Sequence, residues 1–481
     1  MAASPSGSST TESRSSFTKW LRTSDAPLPT LTRSARRTIA RFEARRRFGT
    51  VHKFMDSVIE STPPQPEALP RRSRPSRRRI VELSTYPLYP ARAGGQIRGL
   101  HLAKSLSEFP STEVEVVSLT TRPDRAGTRQ LGPHLTETCI LLDDHHLERE
   151  AQLRLVTAPV AITDIAAGLM WSGIESLSEH LGRSLQTSSG VVLVQPYLID
   201  LVEQLGHGQP IVCDEHNDEL LLKRDIIPMN TAGRWLLGKV DQLERRAVES
   251  AALVTTTTEA DLLSLEARYS LPADRAVVPN GVDTSEIEFV TGGDRRRRRL
   301  ALRQELGRAA EEVLPTALFV GSGHRPNIEA GKHVLQLALQ LPNVHFVLAG
   351  AHSESLRVGR RLRNVSLLGS ISEDYLNLLL AGCDLALNPM DGGSGSNLKL
   401  LSYLAAGLPV VSTPVGSRGI DAEAAGVHSV GLELFAQTIE EILSHPEYDR
   451  SFTGRAYVEE HCDWRSIGRQ FTSRSIEHFA G

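Results

Sequence analysis

The stretch that most constrains this chain is residues 385–416, LALNPMDGGSGSNLKLLSYLAAGLPVVSTPVG. An apolar run at 385–388 breaks at Pro389, and a loop of aspartate, glycines and serines follows. Leu398, Leu401 and Ala405 then recur at the spacing of one buried helical face. The helix stops at Gly407, and Pro409-Val410-Val411 begins another apolar strand. Strand, glycine-rich turn, helix and strand make a βαβ unit. The loop puts free backbone N–H groups at a helix N-terminus, where a phosphate can sit. Lys399, in the first turn, adds a full positive charge there.

A chain of 481 residues is too long for one ordinary core, so two domains are expected. The net charge of −3 is unevenly spread. Residues 1–79 hold 17 Lys/Arg against 6 Asp/Glu, a net +11, which leaves −14 for the remainder. This arm is rich in Ser, Thr, Pro and Arg and cannot bury enough apolar surface to offset chain entropy. It reads first as a solvated, disordered tail. Ile39, Phe42, Val51, Phe54, Met55 and Val58, set among arginines, also suit a basic amphipathic helix on an anionic membrane surface. No aromatic platform accompanies the arginines, so nucleic acid is not expected as a partner. The four cysteines are far apart, which argues against a zinc site or disulfide framework and fits a reducing cytosol. No run approaches ~18 consecutive apolar residues, so no transmembrane helix is expected.

The texture changes at residue 80. Residues 80–84 read as a buried strand, 86–90 as a loop, and Gly94-Gly95 opens a helix through Arg98, Leu102 and Leu106. Further strands are expected at 114–119 and 191–195, with helix over 151–186. The run Asp143-Asp144-His145-His146 reads as a polar surface segment rather than a metal cluster. A short strand at 210–215 leads into His216-Asn217 and then a long charged amphipathic helix. Residues 251–256 are another strand, and Thr258 caps a helix reaching Tyr269. Val278-Pro279-Asn280-Gly281-Val282-Asp283 is a tight architectural turn, and the arginines at 295–299 belong to an exposed linker helix. Residues 317–323 begin a second domain, where Arg325-Pro326-Asn327 opens a helix. Strands at 344–349 and 365–368 each end at glycine, Gly350 and Gly369.

The run GSGSNLKLLSYLAAGLPVVST resembles the donor-binding segment of GT-B glycosyltransferases, in particular the retaining family 4 (group 1) type. TYPLYPARAGGQIRGLHLAKSL resembles that family's first βα loop, and Asp214-Glu215-His216-Asn217-Asp218-Glu219 its D-x-H-N-x-E segment. The resemblance implies an α/β fold of two Rossmann-like, doubly wound domains facing a cleft. The expected domains are 80–283 for the acceptor and 314–460 for the nucleotide-sugar donor, with a linker at 284–313 and a C-terminal helix (461–481) crossing back. It implies a sugar moved from a nucleotide diphosphate sugar to a hydroxyl acceptor (glycan, lipid or small molecule), with retained configuration. Neither metal nor cofactor is expected. His216, Lys399 and Arg325 are the implied catalytic residues. Donor contacts are expected from Gly94, Gly95, Arg98, Gly321, Gly369, Ile371, Gly393, Ser394, Gly395, Ser396, Asn397 and Ser402, with Arg98 pointing into the cleft. The cysteines and the basic arm give the expected location, cytoplasmic, with the inner face of the membrane as the alternative that the arm offers.

One departure stands out. The family's glutamate pair, E-x7-E, falls on Ser394 and Ser402. A serine hydroxyl cannot accept from both ribose hydroxyls as a carboxylate does, and charge-assisted bonds are about twice as strong as neutral ones. A non-catalytic scaffold or sugar-nucleotide-binding partner is therefore the alternative.

Overall fold

The computed structural model describes residues 77–479, apart from 158–159, 307–313, 358–361, 393–397 and 445–450, together with Ile59. The basic arm therefore lies almost wholly outside the described residues. The first strand begins two residues earlier than the sequence reading has it, at Arg78. The backbones of Arg78 and Arg79 pair with Thr112 and Glu113, and the Arg79 guanidinium donates to Thr187 Oγ1 at 2.9 Å.

Two sheets organise the chain. The first runs in the order β3 (Gly127–Gly132), β4 (Leu135–Leu141), β2 (Thr112–Thr120), β1 (Arg78–Ser84), β5 (Gly190–Val194), β6 (Ile211–Glu215), β7 (Leu253–Thr256) and β8 (Asp274–Val277). The second runs β11 (Val365–Leu367), β10 (His345–Ala349), β9 (Thr316–Val320), β12 (Leu385–Asn388), β13 (Val410–Ser412) and β14 (His428–Ser429). All neighbours are parallel except β3 and β4. β5 and β10 are buried at every position, as parallel strands covered by helices on both faces must be. Strand order reverses between β1 and β5 in the first sheet, and between β9 and β12 in the second. In open α/β sheets these reversal points, at the carboxyl ends of the strands, open the crevices where ligands bind.

The chain passes between the domains at two places that are stitched together. Val282 forms a β-bridge with Asp463: its amide donates to the Cys462 carbonyl at 2.9 Å, and its carbonyl accepts from Trp464 at 3.1 Å. A Cβ on Gly281 would stand 2.8 Å from the Cys462 carbonyl oxygen, so only glycine fits. The Trp464–Phe479 helix then lies along the Gly94–Glu108 helix, with the Trp464 indole stacked on His101 at 5.0 Å and Thr472 bonded to Ser105 at 3.0 Å.

Two expectations need correction. The long helix after His216 is two helices, Glu219–Ile226 and Thr231–Ser250. Pro228 supplies no backbone N–H, and Asn230 restarts the helix by accepting from the Gly233 amide at 2.8 Å. The arginine run at 295–299 is not simply exposed. It lies on the Gly292–Glu305 helix, but Arg295 is only 2% exposed and donates to the carbonyls of Leu380, Cys383 and Ala406. These carbonyls end the Glu373–Gly382 and Leu398–Ala405 helices, so one buried guanidinium caps two helix C-termini. Arg299, one turn on, pairs with Asp384. No helix among the described residues is long and apolar enough to cross a membrane, and all four cysteines are buried free thiols.

Replacing Arg295 by Met keeps most of the volume but takes the donor from the Leu380 and Cys383 carbonyls and leaves Ala406 with only the Val290 amide. The expected loss in urea unfolding is about 2–4 kcal/mol. Arg297→Ala removes only an exposed pair with Asp294 and should stay within about 0.5 kcal/mol. Equal effects from the two variants would remove the capping role.

Candidate active site

The loop after β1 and the start of the Gly94–Glu108 helix form one wall of a crevice. Gln96 Oε1 accepts from the Arg92 and Ala93 amides, each at 3.0 Å, and its Nε2 donates to the Pro87 carbonyl at 2.7 Å. This closes the loop and leaves the first helical amides facing the crevice without i−4 partners. The two glycines allow neighbours to approach closely. A Cβ on Gly95 would lie 2.4 Å from Tyr86 Oη and 3.1 Å from His216 Nδ1, and one on Gly94 would lie 3.1 Å from Leu398 Cδ1 of the second domain. The crevice is a cavity of about 460 Å³. Tyr86, Gly94, Gly95, Gln195, His216, Asn217 and Asn280 line it from the first domain, and Leu398 from the second. It sits at the carboxyl ends of β1, β5 and β6, where the strand order reverses.

Beneath it lies a buried ion pair. Asp214, the fourth residue of β6, accepts from Arg98 Nε at 2.8 Å and Nη2 at 2.5 Å, from Thr255 Oγ1 at 2.6 Å and from His216 Nε2 at 3.1 Å. Burial alone would raise its pKa, but Arg98 and His216 hold it well below the usual carboxylate range. Sequence reasoning sends Arg98 into the cleft; the structure puts it on the cavity lining but spends its donors on the protein. The residue lines the cavity, yet it is only 1% exposed. Its donors go to Asp214, to the carbonyls of Val278 (2.7 Å) and Pro279 (3.2 Å), and to Asn280 Oδ1 (3.3 Å). The physical cause is Asp214 itself, a fully buried carboxylate that needs a cation at hand.

His216 is 6% exposed. Because the ionised Asp214 only accepts, neutral His216 carries its proton on Nε2, and Nδ1 is left to accept. Tyr86 Oη supplies a weak partner there at 3.4 Å, which a ligand hydroxyl can replace.

The second-domain wall is built on β9, β12 and the Leu398–Ala405 helix. Tyr403 Oη accepts from the Val320 amide at 2.8 Å and pins that helix to the end of β9. A Schellman motif closes the helix: Gly407 (φ +75°) donates to Leu404, and Leu408 to Tyr403, both at 2.9 Å. One turn before Tyr403 on the same face, Lys399 Nζ donates to Asn327 Oδ1 at 2.7 Å, with Met390 Sδ at 3.5 Å and the Phe319 ring centroid at 5.4 Å. No carboxylate pairs with it among the described residues. Burial lowers its pKa to about 8. A cation held only by neutral groups is suited to receive an anion.

The other expected residues fall as follows. Arg325 is exposed at the first position of the Arg325–Gln340 helix. Gly321 lies where a Cβ would press to 2.9 Å on both Asn327 and His352. Gly369 (φ +66°) donates its amide to Ser353 Oγ at 2.9 Å, and Ile371 is packed partly against the second-domain core. Ser402 turns its hydroxyl back to the Leu398 carbonyl at 3.4 Å. Gly393, Ser394, Gly395, Ser396 and Asn397 lie outside the described residues. Sequence reasoning missed Tyr86, Gln195, Asn217 and Asn280 on the cavity, and Asn327 beside Lys399. Asn217 and Asn327 each sit in a quoted motif, which was the available signal; Gln195 had none. No group of three or more His, Cys, Asp or Glu side chains among the described residues could hold a metal ion.

Residues 314–445 match the family model described as "Glycosyl transferases group 1". Sequence comparison with curated proteins finds no match. Among solved structures, sucrose-phosphate synthase from Thermosynechococcus elongatus is 17% identical, with 84% of this chain and 100% of that one covered at a TM-score of 0.63. An α,α-trehalose-phosphate synthase from Burkholderia xenovorans, in complex with glucose-6-phosphate, gives 13%, 84%, 100% and 0.58 in the same order. HepE from Anabaena, in complex with UDP and glucose, gives 14%, 82%, 99% and 0.57. At these identities the likeness is one of fold. The chain thus has the GT-B fold, and the segment that holds its second sheet is the part that matches the group 1 model.

Proposed function

We propose that this protein transfers a sugar from a nucleotide diphosphate sugar to a hydroxyl acceptor, with retention of configuration and without a metal ion. The observation that carries the reading is Lys399: a half-buried cation with no carboxylate partner among the described residues, next in sequence to the residue that closes the cavity from the second domain. In this reading Lys399 exchanges Asn327 for the diphosphate and neutralises the leaving group, with the exposed Arg325 as a second cation. The sugar lies against Gly94, Gly95 and His216. His216 Nδ1 accepts from a sugar hydroxyl in place of Tyr86, and the departing phosphate helps deprotonate the acceptor on the same face. The UDP and glucose bound by HepE, on the same fold, support a sugar nucleotide as donor.

Ser402 fits a weaker ribose contact than a carboxylate would give, and so keeps a non-catalytic, nucleotide-binding role as the rival. The basic arm would add attraction to an anionic membrane surface at the cytoplasmic face. A calorimetric screen of UDP-, ADP- and GDP-sugars, followed by hydrolysis and transfer assays, separates the readings. Turnover is expected. Binding without turnover against a broad acceptor panel favours the rival, and no binding removes both.

Two further outcomes are expected. Lys399→Met should weaken sugar-nucleotide binding about tenfold to a hundredfold, the ~1.5–3 kcal/mol of a hydrogen bond to a charged group; unchanged affinity removes the phosphate assignment. In the unliganded protein Lys399 is cationic below its lowered pKa of about 8 and loses its proton above it. A sugar-nucleotide diphosphate does not titrate in this range, so affinity should fall as pH rises through about 8. A flat profile from pH 7 to 9.5 would contradict this.

A further inference from the structure

Glu219 does not line the cavity, yet it holds two residues that do. It begins the Glu219–Ile226 helix, and its side chain is fully buried. Oε1 accepts from Gln195 Nε2 at 3.2 Å and from Asn217 Nδ2 at 3.3 Å. Oε2 accepts from the Tyr197 hydroxyl at 2.5 Å and lies 4.0 Å from Lys223 Nζ. The Glu219 and Leu220 amides donate to Glu244 Oε1 at 2.7 and 3.3 Å, so the backbone is anchored as well. The carboxyl cannot turn away without breaking several bonds at once.

A carboxylate only accepts, so both carboxamides must present it their NH₂ groups. Each carbonyl oxygen then points the other way. Gln195 Oε1 is buried beside the cavity and meets no donor among the described residues. Gln195 also has φ +72°, a backbone state that side-chain-bearing residues rarely adopt and that clusters at functional sites. Without Glu219 either amide could flip, since its two ends are nearly equal in shape.

We propose that Glu219 is a positioning residue: by taking the amide protons of Asn217 and Gln195 it fixes both carboxamides, with the Gln195 oxygen buried behind the wall and the Asn217 carbonyl oxygen left to the cavity, so that this wall selects a ligand by hydroxyl groups that donate. The inference relies on the transferase reading only for the ligand's identity, a sugar. It gives the first domain a hydroxyl-reading surface that Glu219 sets from behind.

Two measurements on the full chain test it. In side-chain amide NMR, the Asn217 and Gln195 NH₂ protons should exchange slowly in the wild type and at least about tenfold faster in Glu219→Ala. Fast exchange in the wild type overturns the proposal, whatever the protein binds. The second measurement titrates UDP-glucose, ADP-glucose and GDP-mannose together with their deoxy and deoxyfluoro sugar analogues. Fluorine cannot donate, so at one sugar position deoxyfluoro and deoxy forms should both bind about tenfold more weakly than the parent. Glu219→Ala should cut that discrimination to within about twofold, and Glu219→Ala with Asn217→Asp, whose side chain accepts at either end, should restore it. A fluoro analogue that binds like its parent at every position, or discrimination untouched by Glu219→Ala, overturns the proposal. If Glu219→Ala does not fold, Glu219→Gln, which keeps an accepting oxygen, should show slow exchange and wild-type discrimination; losing either also overturns it. Slow exchange with no nucleotide bound would sink the transferase reading while supporting the amide orientation.

Discussion

The first-domain side of the site depends on the buried pairing of Asp214 with Arg98. Asp214 lies near the end of a central strand, and Arg98 lies one turn inside the Gly94–Glu108 helix. Their contact fixes that helix over the sheet, with its glycine-rich start beside His216. The same guanidinium holds the carbonyls of Val278 and Pro279, where the chain leaves the first domain. One ion pair therefore sets the histidine, the loop and the root of the inter-domain connection. Removing either partner would strand a buried charge, at a cost of about 3–5 kcal/mol.

The second domain is arranged on another plan. It offers a cation whose present company is neutral: an amide oxygen, a thioether and a ring face. At the site the first domain pairs Arg98 with Asp214 and lines the cavity with polar side chains such as Tyr86, Asn217 and Asn280. This division suits a ligand with an anionic part and a neutral, hydroxylated part. The paired crossings at Val282 and Asp463 join the two halves at one place, which leaves the opposite lips of the crevice to the loops.

Much of this was legible in the sequence, for identifiable reasons. The βα turns at Gly94-Gly95 and around Lys399 announce themselves because glycine-rich turns, helix starts and apolar strands are local signals. The break at Pro228 is equally local, with Asn230 ready as a cap. The burial of Arg98 and Arg295 is not legible, for another reason. Each is a charged residue in a polar-looking helix, and what buries it is an acceptor 116 residues away in one case and helix ends at Leu380, Cys383 and Ala406 in the other. Spacing along a helix cannot tell which of five consecutive arginines will face inward. Gln195 carried no signal either, since its backbone state and its bond to Glu219 exist only once three strands are side by side.

The most direct measurement is a crystal structure of the protein with the tightest-binding sugar nucleotide. The diphosphate should lie within hydrogen-bond distance of Lys399 Nζ, with Asn327 released and the sugar against Gly95 and His216. A diphosphate bound elsewhere, with Lys399 still on Asn327, would contradict the account.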